Sequence, residues 1–161
     1  MGGLAAAFVI AVALHDLEEA LWLPAWSANA GAWHRPVGAF EFRFTVAVLA
    51  FAAAAAAVLA LLQGAGSVGA YLLAGYALAM LANAFVPHVL ATVLSRRYMP
   101  GTATALVLVL PSSAALLSTA FAEGWVSWPV FAFAAPAVAA GLALSIPLLF
   151  AVGRRLSRIA G

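Results

Sequence analysis

The sequence predicts an all-α integral membrane bundle of about five transmembrane helices, and three observations carry that expectation. Of 161 residues, 67% are hydrophobic and 7% charged, whereas a soluble domain carries about 25% charged residues. Mean hydropathy is +1.12, and the apolar tracts reach roughly 20 residues, enough to cross ~30 Å of hydrocarbon. The arginines, finally, all fall where a five-span path places the loops and tail of one side.

The first span covers roughly residues 3–23 and is expected to end at Pro24, which has no N–H to continue the ladder. A connection to Phe40 contains Trp26, Trp33, His34, Arg35 and Pro36. The second span, 41–62, includes an alanine run from Ala52 to Ala57. Gln63-Gly64-Ala65-Gly66-Ser67 has the glycine content of a tight turn. The third span covers 68–94, followed by the loop Ser95-Arg96-Arg97-Tyr98-Met99-Pro100-Gly101. Thr102 is placed to cap the fourth span, 102–122. Glu123 to Trp128 turn the chain, Pro129 opens the fifth span, 129–152, and Arg154, Arg155 and Arg158 form a tail. No repeat and no separate soluble domain interrupts residues 1–161.

Along this path the 24–40 connection, the 95–101 loop and the tail share one side. Arg35, Arg43, Arg96, Arg97, Arg154, Arg155 and Arg158 lie on or beside it. The positive-inside rule makes that side cytoplasmic and puts the N-terminus outside. An alanine-rich, lysine-free composition suggests a bacterial genome, so the expected location is the bacterial cytoplasmic (inner) membrane. The first span lacks the basic start of a cleavable signal peptide. The absence of cysteine excludes disulfides and thiolate chemistry, and the absence of lysine excludes Schiff bases. A net charge of only +2 stands behind the pI of about 9.7, so nothing argues for nucleic acid.

Chemistry concentrates in Leu14-His15-Asp16-Leu17-Glu18-Glu19-Ala20. At ~100° per residue, Glu18 lies about 60° to one side of His15 and Glu19 about 40° to the other, so the three share a face that Trp22 extends. Asp16 lies at the edge of that arc. Imidazole beside carboxylates on one face suits metal ligation or proton transfer; the plainer reading is a hydrogen-bonded or arginine-paired cluster. Glu41 at the start of span two, and Asn83 and His88 in span three, come to a similar depth on the same side. Ionisable groups within lipid are costly and usually face an interior site. Pro87 cannot bond the Asn83 carbonyl, so the helix should kink there. On an ideal helix His88 lies ~140° from Asn83, and both face one site only if the kink redirects one of them. Glu41 reads either as ligand or acid/base group, or as a first-turn carboxylate on the helix dipole. Arg96 is best read as an interfacial anchor, and Arg97 and Tyr98 as an anchor or a hold on an anionic head.

His15-x-x-Glu18-Glu19, then Asn83-x-x-x-x-His88, then Arg97-Tyr98-x-Pro100-Gly101-x-x-Thr104, resembles the HXXEE family of small bacterial integral membrane proteins. The resemblance spans the first four helices, and residues 111–161 carry none of these motifs. It implies which positions matter and supplies no reaction or substrate.

The function expected from these residues is a membrane-embedded metal-dependent enzyme. Hydrolysis of a lipidic or membrane-partitioned substrate from the cytoplasmic leaflet is the default reaction, with a metal-bound water activated by a carboxylate. His15, Glu19 and His88 are the expected ligands, and Glu18, Glu19 and Glu41 the catalytic carboxylates. Asn83, Arg97, Tyr98 and Trp22 are the expected substrate contacts. Zinc is the first choice of metal and iron the second, since three glutamates and two histidines approach a di-iron oxidase or oxygenase set. A proton-coupled or metal-ion transporter, a small-molecule binding protein, or a haem held by His15 and His88 would also use intramembrane histidine. Small residues such as Gly64, Gly75 and Gly141 permit close packing within or between chains, so a homo-oligomer stays open.

Overall fold

The computed structural model describes residues 1–31 and 35–160, so Trp33 and His34 of the first connection lie outside the described residues. Five helical rods make up the fold, and no strand occurs among the described residues. They are α1 (Gly2–Ser27), α2 (Ala39–Gln63), α3 (Val68–Ser95), α4 (Thr102–Ala122) and α5 (Trp128–Ala160). The last four are long and apolar enough to cross a membrane. α1 is long enough too, but it carries Asp16, Glu18 and Glu19 just past its midpoint.

α1 does not stop at Pro24 as expected; it runs on to Ser27. The missing N–H of Pro24 frees the carbonyl of Ala20, one turn back. Arg43 of α2 donates its Nε–H to that carbonyl at 3.1 Å. Ser27 Oγ donates to the Pro24 carbonyl at 2.8 Å and accepts from Val37 N–H at 3.1 Å, which ties the next segment to the helix end. α5 likewise passes the expected end at 152, and its basic tail continues the helix to Ala160, where cations suit the dipole.

α2 starts on Gly38 and ends at Gly64, whose φ of 80° takes the chain out of the helix. Ser67 caps α3 by accepting from Ala70 N–H. Thr102 does not cap α4: Gly101 holds the cap position, and the Thr102 hydroxyl meets Thr92 Oγ1 at 2.9 Å instead.

The helices run alternately up and down. At one end Met1 N pairs with Glu123 at 3.8 Å, and Gly66 N–H donates to the Trp125 carbonyl. At the other end Leu23, Phe42, Val46, Ala91 and Met99 form a closing cluster. The middle core sets Phe8, Val12, Leu73, Tyr76 and Leu116 against Ala53, Ala56, Ala57 and Ala60. The alanine run thus lets α2 lie close to α1 and α3, because small side chains set a short interaxial distance. Large apolar side chains also cover the outside, Phe51, Leu62, Phe133 and Leu148 among them. A helix apolar on its outer face as well belongs in hydrocarbon.

Candidate metal centre

The site is assembled at the junction of α1, the break in α3 and the loop into α4. His15 and Glu19 follow each other by one turn of α1, so both point the same way. His88 arrives from α3. Val86 has extended backbone angles (φ −129°, ψ 111°), and this step turns the chain between Asn83 and His88. The kink expected at Pro87 therefore does redirect the two side chains onto one site. Asn83 Nδ2 lies 3.4 Å from His15 Nε2, and the His15 and His88 rings meet edge-on with centroids 4.8 Å apart.

Glu19 bridges the imidazoles. Its Oε1 is 3.4 Å from His88 Nε2 and its Oε2 is 3.9 Å from His15 Nε2. One ligand atom from each of the three residues lies within 4.8 Å of the others. Both histidines are 1% exposed and Glu19 is 13% exposed, so water does little to screen the cluster. The only ion pairs among the described residues that involve these groups are those between Glu19 and the two imidazoles.

The far side of His15 fixes its tautomer. Nδ1 lies 3.1 Å from the Gly101 carbonyl and 3.1 Å from Thr104 Oγ1. A carbonyl only accepts, so Nδ1 carries the proton and Nε2 keeps its lone pair toward Glu19. The Thr104 hydroxyl in turn donates to Glu18 Oε2 at 2.6 Å. Glu18 also accepts from Thr104 N–H at 3.2 Å and from the Tyr98 hydroxyl. Glu18 is therefore not on the ligand face. It braces Thr104, which braces His15, as an outer shell does for a metal-ligating histidine.

The same contacts complete the first turn of α4. Thr102 N–H donates to the Met99 carbonyl, Ala103 N–H to Tyr98 Oη, Thr104 N–H to Glu18 and Ala105 N–H to the Gly101 carbonyl. The first three are donors that a helix start leaves without an internal partner, and the fourth is the first bond of the helix itself. The Glu18 carboxylate also sits at the positive end of α4, where negative charge is favoured.

Gly101 is the floor on which the cluster rests. A Cβ there would come within 2.6 Å of His88 Cε1, 2.9 Å of His15 Cε1 and 3.0 Å of Glu19 Cγ. Its φ of 93° is also one that side-chain-bearing residues avoid.

The cluster opens onto a cavity of about 660 Å³ bounded by α1, α2, α3 and α5. Its walls are apolar, with Phe42, Leu49, Met80, Leu142 and Phe150 among them, and its polar patch is His15, Asp16, Glu19 and Asn83. Asp16 is 8% exposed and its Oδ2 has no hydrogen-bond partner.

The other expected site residues lie elsewhere. The carboxyl of Glu41 folds back on Gly38, where any Cβ would collide with it. This is the third position of α2, from which a glutamate reaches back over its own helix start. Trp22 is 57% exposed and does not line the cavity. Arg97 lines a separate hollow with Trp26, Asn29 and Ser95. Tyr98 reaches the site only through Glu18. Asp16, Gly101 and Thr104 are the functional positions that spacing alone did not single out, although Pro100-Gly101 is a turn signature that favours positive φ.

The trio offers three ligand atoms to a cation. Ligands at about 2.0–2.2 Å stand roughly 3.3 Å from one another around zinc. Here the contacts are 3.4 and 3.9 Å, each to a different Glu19 oxygen. One ligand atom from each residue lies within 4.8 Å of the others, so the three side chains would draw together around an ion. The His15 Nε2 lone pair faces the Asn83 amide at 3.4 Å and a Glu19 oxygen at 3.9 Å, so a cation bound there would take the place of the amide. Two histidines in edge contact leave no space for a haem between them.

The family description "Protein of unknown function with HXXEE motif" matches residues 6–116, which hold every residue of this cluster. The chain belongs to the HXXEE family. It is also 34% identical over 150 residues to the Bacillus subtilis "Uncharacterized protein YrkK", covering 93% of this chain and 95% of the relative. No solved structure matches it.

Proposed function

We propose that this HXXEE protein is a metal-dependent enzyme of the bacterial cytoplasmic membrane that hydrolyses a lipidic substrate. The observation that carries the proposal is the convergence of His15, Glu19 and His88, of which His15 and Glu19 line a large apolar cavity. Three protein ligands with an open side toward a cavity are the pattern of catalytic zinc sites, whereas structural sites are closed by four. A divalent cation at this trio supplies a Lewis acid where a substrate carbonyl can reach it. Asn83 can donate to the polar end of the substrate, and Asp16 is the remaining carboxylate of the cavity, available to orient and deprotonate water.

Zinc suits two imidazoles and one carboxylate better than a di-iron pair does, because Glu18 and Glu41 are engaged elsewhere. A through-path for transport has little support, since the core beyond the site is filled by Phe8, Val12, Leu73 and Leu116. α1 completes the set of five spans, its acidic residues turned to the interior and the loop into α4. The arginine-bearing end then faces the cytoplasm and the N-terminus the outside.

The test is the metal content of protein purified in detergent without added metal, beside His15→Ala and His88→Ala. About one zinc per chain, lost in both variants, is the expected result. No metal in any preparation, and none taken up on addition, would overturn the proposal; two irons per chain would replace hydrolysis with oxidative chemistry.

A further inference from the structure

The cavity has a long axis, and α5 defines it. Ala139, Ala143, Ile146, Pro147, Phe150 and Arg154 line it at helical spacing, a stripe of about 22 Å at 1.5 Å per residue. Two contacts fix the register of the helices around this stripe. Arg43 of α2 meets the Ala20 carbonyl of α1, and Gly153 of α5 packs on the backbone of Glu41. Counting back along the antiparallel pairs sets His15 and Asp16 level with about Pro147. The polar patch therefore lies partway along the groove, with about 10 Å of α5 between it and Arg154 and about 12 Å between it and Ala139.

The two ends differ in chemistry. Arg154 is the one cation among the residues that line the cavity, it is exposed, and it forms no ion pair among the described residues. Toward Ala139 the lining is Leu142, Met80 and Tyr76, whose hydroxyl is taken up by the Leu49 carbonyl at 2.8 Å. Between them stands Asp16, buried, with one oxygen unpartnered. A buried acceptor with no donor in the protein invites one from a ligand.

We infer that the cavity binds a single-chain acyl amphiphile with an anionic head. The head pairs with Arg154, the carbonyl lies beside the metal trio with an adjacent N–H or O–H toward Asp16, and the tail runs along α5 toward Ala139. A volume of about 660 Å³ is that of a one-ligand pocket and suits one chain better than two. The inference deepens the enzymatic proposal by naming its substrate class, and it rests on the cavity being the substrate site.

The probe is N-dodecanoylglycine, compared with its uncharged methyl ester, with binding measured by displacement of a fluorescent dodecanoate. The protein is held in discs of zwitterionic lipid and treated with chelator, so that no turnover occurs and the result does not depend on metal. The acid should bind about tenfold or more tighter than the ester, the scale of a charge-assisted contact. Arg154→Gln should abolish that preference by weakening the acid alone, Arg154→Lys should keep most of it, and Ala143→Trp should weaken both ligands by filling the groove. Equal binding of acid and ester to the unaltered protein would overturn the inference. So would an acid preference that survives Arg154→Gln, or ester binding unchanged by Ala143→Trp. An acid preference alongside a failed metal measurement would leave this binding site standing and remove only the hydrolytic reading.

Discussion

Gly101→Ala tests the site more sharply than removal of any ligand, because the structure separates the two costs of that one methyl group. The first is conformational. A φ of 93° is a region where a residue with a Cβ is strained by about 1–3 kcal/mol. The second is steric. The new carbon would lie 2.6 and 2.9 Å from the two imidazole carbons and 3.0 Å from Glu19 Cγ, and overpacking of this kind costs about 1–3 kcal/mol. Gly124 isolates the first cost, since its φ is 68° and nothing lies within 4 Å of its Cβ position. Gly124→Ala should therefore lose only the conformational part. Gly101→Ala should lose about 2–6 kcal/mol in all, which corresponds to a fall in melting temperature of roughly 4–24 °C for a chain of this size. Thermal unfolding of both variants in detergent, followed by tryptophan fluorescence, measures the difference. Metal uptake should fall in Gly101→Ala and stay intact in Gly124→Ala. Equal destabilisation of the two, with metal uptake alike, would refute the claim that Gly101 supports the cluster.

Three further outcomes follow from the same contacts. Thr104→Val removes the hydroxyl between His15 and Glu18 and should cost about 1.5–3 kcal/mol of stability and ~10–100-fold in metal affinity. Thr104→Ser should restore both, and a serine variant as weak as the valine one would show that the hydroxyl is not the link. Burial, and then the Glu18 carboxylate, push the Tyr98 phenol above its ordinary value of 10. The folded chain thus favours the neutral phenol, a contribution fully present below the unfolded pKa and lost as pH rises through the folded one. An ultraviolet titration of wild type minus Tyr98→Phe should show phenolate appearing late, and Glu18→Gln should bring it earlier; an onset at or below the ordinary value contradicts the contact. Glu41→Gln should leave metal stoichiometry unchanged and cost no more than about 1 kcal/mol from the start of α2; loss of metal in this variant would return Glu41 to the ligand set.

How much of this was legible in the sequence depends on the range of the contact concerned. Helical periodicity put His15 and Glu19 on one face, a local property that the structure keeps. The same periodicity grouped Glu18 with them, yet which neighbour each edge of a face meets is decided by packing. Here α4 and its preceding loop meet the Glu18 edge. Pro87 announced a break, but the direction of the turn depended on the extended Val86. Pro24 announced an end, and a guanidinium 23 residues from Ala20 satisfied the carbonyl it left free. Glu41, by contrast, stands three positions after Gly38 at a helix start, so its local role was readable all along. α5 carries no motif. Its contribution is a wall, set by packing against α2 and α3, and its own sequence did not point to one.

The three carboxylates of α1 show why this helix is placed among four apolar ones. Alone in hydrocarbon, each would cost several kcal/mol. Glu18 receives three donors, from Tyr98 and from the hydroxyl and amide of Thr104. Glu19 faces two imidazoles. Asp16 keeps an oxygen with no partner at all. A fold that provides so fully for Glu18 and Glu19 had the means to replace or pair Asp16, and an unpaired carboxylate kept in such a place calls for an explanation beyond stability. It lines the cavity beside the metal trio. His88 Nδ1 and Ser113 Oγ are also buried without a partner, but of the three only Asp16 lines the cavity. It is therefore the one whose imbalance a donor entering from the cavity removes.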